Sequence, residues 1–156
     1  NALNFITMLK SRFFAIVLTL FTIHTFAENN PTTKSKTGES TGIQFFSGTF
    51  KQALAKAKKE KKLIMVDCYT TWCGPCKYLK TNVVTDKALG DYMNSKFVSV
   101  AVDYESAEGE AVARMYPVEG YPTLFFMDSN GKIKKTVLGV PQGGAKEVLQ
   151  TAQKVK

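Results

Sequence analysis

The amino-acid sequence predicts an α/β domain in which a central mixed sheet is covered by helices on both faces. Apolar runs typical of buried strands, at 63–69 and 97–102, alternate with segments of helical period. Near the C-terminal end, Asn130-Gly131 predicts a two-residue hairpin between antiparallel strands. A sheet that combines helical crossovers with a hairpin contains both parallel and antiparallel neighbours.

The elements follow one another from residue 43 onward. Strands are expected where apolar and β-branched residues run together, at 43–46, 63–69, 97–102, 123–127 and 133–138. Helices are expected where apolar residues recur at helical spacing, after Thr49 and at 73–82, 86–96, 107–116 and beyond Pro141. Thr49 or Ser47 can cap the first of these helices. One domain over 42–156 accounts for all of them.

Cys73 and Cys76 are separated by Gly74 and Pro75 and directly follow the apolar strand at 63–69. This spacing predicts a thiol–disulfide pair. If a helix begins at Cys73, its unpaired backbone N–H groups and its dipole favour the thiolate, so we expect Cys73 to be an exposed thiol of low pKa. Cys76 lies one turn further on, where it can attack a mixed disulfide formed at Cys73. Pro75 fits a first helical turn.

The alternatives for this pair are a zinc half-site and a chance spacing. A zinc site needs four ligands, but the chain offers one further cysteine, Cys68, and one histidine, His24, in a predicted leader. A mature chain without histidine also excludes Ser–His or Cys–His catalysis. We therefore expect no metal and no cofactor, with a cysteine-only metal carrier as an alternative.

The segment 63–77, ending in Trp-Cys-Gly-Pro-Cys-Lys, resembles the active-site segment of thioredoxin. The segment 118–124 resembles the one that carries a cis-proline opposite the cysteines, and Gly139 matches a third family glycine. The resemblance covers about 42–156 and implies the thioredoxin fold. The helix before the active-site strand and Thr85-Asp86 are more similar to thioredoxin-like domains of bacterial envelope proteins, such as the C-terminal domain of the transmembrane thiol–disulfide interchange protein.

The resemblance implies a role for each site residue. Cys73 would be the nucleophile and Cys76 the resolving thiol of a redox-active disulfide, while Asp67 would help to move the proton of Cys76. A cis-proline loop would offer backbone groups to a substrate peptide in a strand-like pairing. Substrate contacts are expected from the residues around the two cysteines and in this loop: Trp72, Gly74, Pro75, Tyr121 and Pro122.

Asp67 follows an apolar run, where a carboxylate should have a raised pKa; the alternative is an exposed strand end. Thioredoxin pairs this aspartate with a lysine on the neighbouring strand, where this chain has Ser99, so we expect a still higher pKa or a water partner. Tyr121 replaces an aliphatic residue, which should alter partner choice. Cys68 should point to the opposite sheet face as an inert buried thiol, with a regulatory thiol as the alternative.

The N-terminal segment has the order of a secretory signal peptide. Lys10 and Arg12 precede an apolar run at 13–23, and small residues stand before a possible cleavage after Ala27. We expect a signal peptide at 1–27, of which 1–7 would be an upstream extension, followed by a flexible linker at 28–41. The protein should then be periplasmic or secreted. The alternative is an inner-membrane anchor, although a spanning helix needs about 20 apolar residues.

The formal net charge is +8, and loss of a leader with two basic residues and no acidic ones leaves +6. Lysines concentrate at 56–62, on a helix expected to turn them to solvent. No basic platform rich in aromatic residues is present, so we expect no nucleic-acid binding. The expected partners are protein substrates with disulfides or oxidised cysteines. The protein itself is expected to be a monomer.

The sequence thus predicts a thiol–disulfide oxidoreductase that acts on protein disulfides. Its Gly-Pro dipeptide resembles that of thioredoxin and not that of the strong envelope oxidant, whose dipeptide contains histidine. Those two potentials differ by about 150 mV, or roughly 7 kcal/mol for two electrons, so we favour a reductant or an isomerase-like role. Such a role in an oxidising compartment needs a membrane electron donor. The alternative is a binding or chaperone module without redox turnover.

Overall fold

The computed structural model of the chain describes residues 42–156. The predicted signal peptide (1–27), the predicted linker (28–41) and His24 lie outside the described residues. Within the described part, four strands form one sheet in the order β2-β1-β3-β4. They are β1 (Leu63–Tyr69), β2 (Phe97–Asp103), β3 (Thr123–Met127) and β4 (Ile133–Leu138).

Five α-helices accompany this sheet in the described part of the chain: α1 (Phe50–Glu60), α2 (Gly74–Tyr78), α3 (Lys87–Lys96), α4 (Ala107–Met115) and α5 (Gly144–Gln153). A π-helical segment, Leu79–Val83, continues α2. Apolar residues of α3, α5 and the π-helical segment fill the core on one sheet face, and those of α1 and α4 fill the core on the other. Across 42–156, none of the helices has the length and apolarity needed to cross a membrane.

β1 lies in the interior of the sheet and determines which side chains reach each core. It pairs in parallel with β2 and antiparallel with β3, so the predicted mixed sheet with helices on both faces is confirmed. Side chains alternate along a strand, and Met65 packs in the core beside α3 and α5 while Cys68 packs in the core beside α1. Asp67 therefore shares its face with Met65, and Cys68 lies on the opposite one.

The helix expected over 73–82 is divided in the structure. Cys73 is the N-cap of α2, so the helix begins one residue later. Thr81 Oγ1 donates to the carbonyl oxygen of Lys77 at 3.0 Å, and Asn82 Nδ2 donates to that of Tyr78 at 3.1 Å. These polar side chains compete for the carbonyl groups of the first turns, which is consistent with a change from α to π geometry at this point.

Two smaller predictions are also corrected. Residues 43–46 do not form a strand but a single bridge, Phe45 to Ser99, at the free edge of β2. The prediction of a two-residue hairpin loop after β3 is wrong as well, because five residues connect β3 and β4. The Asp128 carboxylate accepts backbone N–H groups of Asn130 and Lys132 at 2.9 and 3.1 Å, and only Gly131 in this turn has a positive φ, 84°.

Candidate active site

Cys73 and Cys76 form a disulfide at the N-terminal end of α2. Cys73 has an extended backbone (φ −69°, ψ 108°), and its sulfur accepts a hydrogen bond from the backbone N–H of Cys76 at 3.1 Å. Pro75 has no N–H to offer, so the N–H of Cys76 is the helix-terminal donor that reaches this sulfur. The local sequence therefore leaves one backbone N–H group, that of Cys76, pointing at the sulfur of Cys73.

Both cysteines are buried in the disulfide form, with 3 % of Cys73 and 6 % of Cys76 exposed. The expectation that Cys73 is the exposed thiol of the pair concerns the reduced protein and stays a prediction. The two sulfurs differ in their hydrogen bonding: within 42–156, a backbone donor reaches Cys73, and none reaches the sulfur of Cys76. Gly74 and Pro75, between them, are exposed to solvent.

Asp67, on β1, is 7 % exposed, so the alternative of an exposed strand end is wrong. Its Oδ1 atom has no hydrogen-bond partner among the described residues. Burial raises the pKa of this carboxyl group to about 7, against a smaller lowering by the charge of Lys80. A carboxyl group of this kind exchanges its proton near neutral pH.

Asp67 and Cys76 line one cavity of about 360 Å³ that opens to solvent. Lys77 of α2 and Lys80 of the π-helical segment line it as well. Thr70 also lines the cavity, and its buried hydroxyl group has no hydrogen-bond partner within 42–156. The volume can hold water molecules, and the polar groups needed to bind them are present. The cavity thus brings the carboxyl group, the second cysteine and two lysines to one space.

The neighbouring strand provides no cation for Asp67. Ser99, expected at the position of a thioredoxin lysine, lies opposite Met65 in the register, and the residue opposite Asp67 is Ala101. The cation beside Asp67 is Lys80, which the prediction from the sequence did not include. Its place four residues after Cys76, one helical turn further on, is the pattern that could have identified it.

Trp72 is the large exposed side chain beside the pair, with 65 % of its surface accessible. Its indole Nε1 donates to Glu105 Oε1 at 2.8 Å, and its ring meets that of Tyr121 edge-on, with centroids 6.1 Å apart. Tyr121 in turn packs against Tyr104 at 5.9 Å. Glu105 was also missed, because only the folded chain brings it to a residue 33 positions earlier.

The Tyr121–Pro122 peptide bond is cis and lies directly before β3. Pro122 is buried, and its carbonyl oxygen accepts the N–H of Gly139 at 2.7 Å, so this group is already paired inside the domain. Among the described residues, the backbone N–H and C=O of Tyr121 have no partner. Tyr121, more than Pro122, therefore has backbone groups free for a bound peptide.

Cys68 lies apart from this site. It is fully buried on the opposite sheet face, and burial raises the pKa of its thiol to about 12. A thiol of this kind carries little thiolate at neutral pH, which favours the inert interpretation. Within 42–156, no three His, Cys, Asp or Glu side chains are grouped closely enough to hold a metal ion.

Comparisons with known proteins agree with this geometry. The family model that matches residues 46–129 is described as thioredoxin-like. Thioredoxin H3 of Arabidopsis thaliana is 34 % identical over 105 residues, which cover 67 % of this chain and 80 % of that protein. The solution structure of a candidate disulphide-isomerase from Bacteroides thetaiotaomicron is 40 % identical, covers 74 % of this chain and 93 % of its own, and superposes with a TM-score of 0.64.

The C-terminal domain of DsbD from Neisseria meningitidis, solved in its oxidised form, is similar in fold. It covers 73 % of this chain and 99 % of its own, with a TM-score of 0.57 and 20 % identity.

Proposed function

Because the chain belongs to the thioredoxin-like family and has the thioredoxin fold, we propose that it is a thiol–disulfide oxidoreductase acting on protein disulfides through Cys73 and Cys76. The observation that carries this proposal is the Cys73–Cys76 disulfide at the start of α2, beside a cavity that also holds Asp67. A disulfide accepts two electrons when it is reduced to a dithiol and releases them when it forms again, and the cavity supplies a group that can exchange an accompanying proton.

In the reductive direction, the reaction begins with both cysteines reduced. The thiolate of Cys73 attacks one sulfur of a partner disulfide, whose S–S bond breaks as a mixed disulfide forms. The other partner sulfur leaves as a thiolate and takes a proton from solvent. The N–H of Cys76 stabilises the attacking thiolate before this step, because it points at the Cys73 sulfur.

Resolution of the mixed disulfide is the step assigned to Asp67. The carboxylate of Asp67 accepts the proton of the Cys76 thiol, directly or through water in the shared cavity. The Cys76 thiolate then attacks the Cys73 sulfur, the mixed disulfide breaks, and the second partner sulfur leaves as a thiolate. The partner has gained two electrons, and the Cys73–Cys76 disulfide has formed again.

Substrate binding is assigned to the surface around the pair. Trp72 offers an exposed apolar ring, Gly74 and Pro75 leave the approach to the disulfide open, and the free backbone groups of Tyr121 can pair with an extended peptide. Pro122 would contribute through the shape of its loop, because its own carbonyl group is occupied by Gly139.

The direction of electron flow in the cell is proposed from the Gly74-Pro75 dipeptide. Like that of thioredoxin, it favours a reductant or an isomerase-like protein, which a membrane donor would have to supply with electrons. The likeness to a domain of DsbD supports a place in such a chain. The predicted signal peptide would bring the domain to the periplasm or outside the cell. N-terminal sequencing of the exported protein should begin at Glu28, and a retained Met8 would instead indicate a membrane anchor.

Reduction of insulin by dithiothreitol, followed by turbidity, tests the proposed activity. The wild-type protein should accelerate precipitation, Cys73→Ser should lose the acceleration, and Cys68→Ala should keep it because that thiol lies on the opposite face. Equal and negligible rates for all three proteins would contradict the redox proposal and favour the binding-module alternative.

The potential of the Cys73–Cys76 couple tests the direction. Equilibration with glutathione buffers should give a value closer to the roughly −270 mV of thioredoxin than to the approximately −120 mV of the strong envelope oxidant. A value near the latter would contradict a reductant.

A further inference from the structure

We propose that Lys80 is a positioning residue for the proton transfer between Cys76 and Asp67: its ammonium group, in the wall of their shared cavity, favours the carboxylate form that accepts the proton. The inference rests on the proposed function. Lys80 is part of neither the Cys-Gly-Pro-Cys motif nor the neighbouring strand β2. The cation would come from the helical layer, and not from the sheet as in thioredoxin.

The backbone places Lys80 where this role requires it. Lys80 belongs to the π-helical segment Leu79–Val83, which continues α2, and it follows Cys76 of α2 by four residues. The two side chains therefore leave the same side of this continuous helix. Both line the cavity into which Asp67 is buried. The positive charge can therefore act on the carboxyl group through the cavity.

The other groups around Asp67 do not supply this charge. β2 presents the uncharged Ser99 and Ala101, and β3 presents Leu124 opposite Asp67. Cys68 and Tyr69 on β1 are themselves disfavoured as anions by the charge of Asp67.

The helical layer adds three residues to the cavity wall: Cys76 and Lys77 from α2, and Lys80 from the π-helical segment. Of the two lysines, Lys80 is the one whose charge lowers the pKa of Asp67. The unpartnered Oδ1 of Asp67 leaves one carboxylate oxygen without a competing hydrogen bond inside 42–156. Lys77 is therefore a matched control, since it has the same charge and lines the same cavity from α2.

The ammonium group of Lys80 is also available for this role. Within 42–156 it forms no hydrogen bond or ion pair, whereas Lys56 and Lys62 are paired with Glu60. Lys80 is exposed, so water and salt screen its charge. The effect on Asp67 should consequently be moderate and should weaken as ionic strength rises.

The test is a titration of the Asp67 carboxyl carbon by NMR in the oxidised full-length protein, with wild type, Lys80→Gln, Lys80→Arg and Lys77→Gln. At low salt, Lys80→Gln should raise the Asp67 pKa by roughly half a unit, the size expected for a solvent-screened charge. Lys80→Arg should restore the wild-type value, and Lys77→Gln should shift it less. High salt should move the wild type toward the Lys80→Gln value.

No shift in Lys80→Gln, or an equal shift in Lys77→Gln, would overturn the assignment to Lys80. The titration needs no substrate and no turnover, so its outcome is separate from that of the insulin assay. An inactive protein with the expected shift would contradict the proposed function and leave the charge coupling intact. An active protein without the shift would contradict only the role of Lys80.

Discussion

The backbone N–H of Cys76 points at the sulfur of Cys73 across 3.1 Å. In the disulfide this sulfur is neutral, but after reduction the same donor faces a thiolate, and hydrogen bonds to charged acceptors are the stronger ones. The sulfur of Cys76 receives no such donor from residues 42–156. The relationship makes the two thiols chemically unequal although they are buried to a similar degree.

The first prediction concerns the order of alkylation. In the reduced protein near neutral pH, iodoacetamide should modify Cys73 first, because its thiolate is stabilised at the helix start. Cys76 should follow, and the fully buried Cys68 should react last. Mass spectrometry of peptides from timed samples measures the order, with Cys73→Ser as the control that removes the fast phase. Fast labelling of Cys76 or Cys68 in the wild type would reverse the assignment.

The second prediction concerns the trapping of partners. Cys76→Ala should accumulate stable disulfides between Cys73 and its substrates, since the thiol that resolves them is missing. Adducts recovered from an envelope extract should disappear on reduction with dithiothreitol. Cys73→Ala serves as the matched variant and should recover none. If Cys73→Ala traps adducts and Cys76→Ala does not, the roles of the two cysteines are exchanged.

The third prediction concerns Asp67→Asn and the pH dependence of stability. Burial raises the folded-state pKa of Asp67 from an ordinary 3.8 to about 7. Between these values the folded protein holds a proton that the unfolded chain has released, so the free energy of unfolding falls as pH rises. The wild type should lose up to about 4 kcal/mol between pH 4 and pH 7 through this group, with little further change above pH 7.

Asparagine does not titrate, so this part of the pH dependence should disappear in Asp67→Asn. Urea unfolding of both oxidised proteins from pH 4 to pH 8 measures it, and the difference between them cancels the contribution of other acids, such as Asp128, whose pKa is lowered. Stopped-flow measurement should also show slower resolution by Cys76 at neutral pH. Parallel stability curves and equal rates would mean that Asp67 neither titrates in this range nor takes part in the reaction.

The fourth prediction concerns the hydrogen bond between Trp72 and Glu105. Trp72 is the one tryptophan of the chain, so the tryptophan fluorescence of the protein comes from this residue alone. Glu105→Ala should release the exposed indole, lower its fluorescence anisotropy and raise the KM for a protein substrate. In Glu105→Gln, the fluorescence anisotropy and the KM should stay close to the wild-type values, because an amide oxygen still accepts the hydrogen bond.

Glu110→Ala is the control for that experiment, since Glu110 is an exposed acid of α4 and the indole N–H is bonded to Glu105 instead. It should leave both quantities unchanged. Unaltered anisotropy in Glu105→Ala would show that the ring of Tyr121, and not Glu105, holds the indole in place.

The prediction from the sequence was accurate where local pattern and energetics agree. The run at 63–69 is β1, and 123–127 and 133–138 are β3 and β4, because alternating or continuous apolar patterns leave a strand as the favoured solution. The prediction was less accurate where side chains alter the backbone. Thr81 and Asn82 bond to carbonyl groups of α2, and Asp128 organises a five-residue turn that an Asn-Gly pair alone does not predict.

The sequence by itself predicted the mixed sheet, the place of the cysteine pair and the burial of Asp67, because local patterns of apolar residues indicate the strands and helices that carry them. Only the tertiary structure decided which charge faces Asp67 and which acid holds Trp72. Lys80 and Asp67 line one cavity between the helical layer and the sheet, and Glu105 accepts the indole N–H from the turn after β2. Such contacts depend on how elements pack, since electrostatic and hydrogen-bond energies follow distance in space and not separation in sequence.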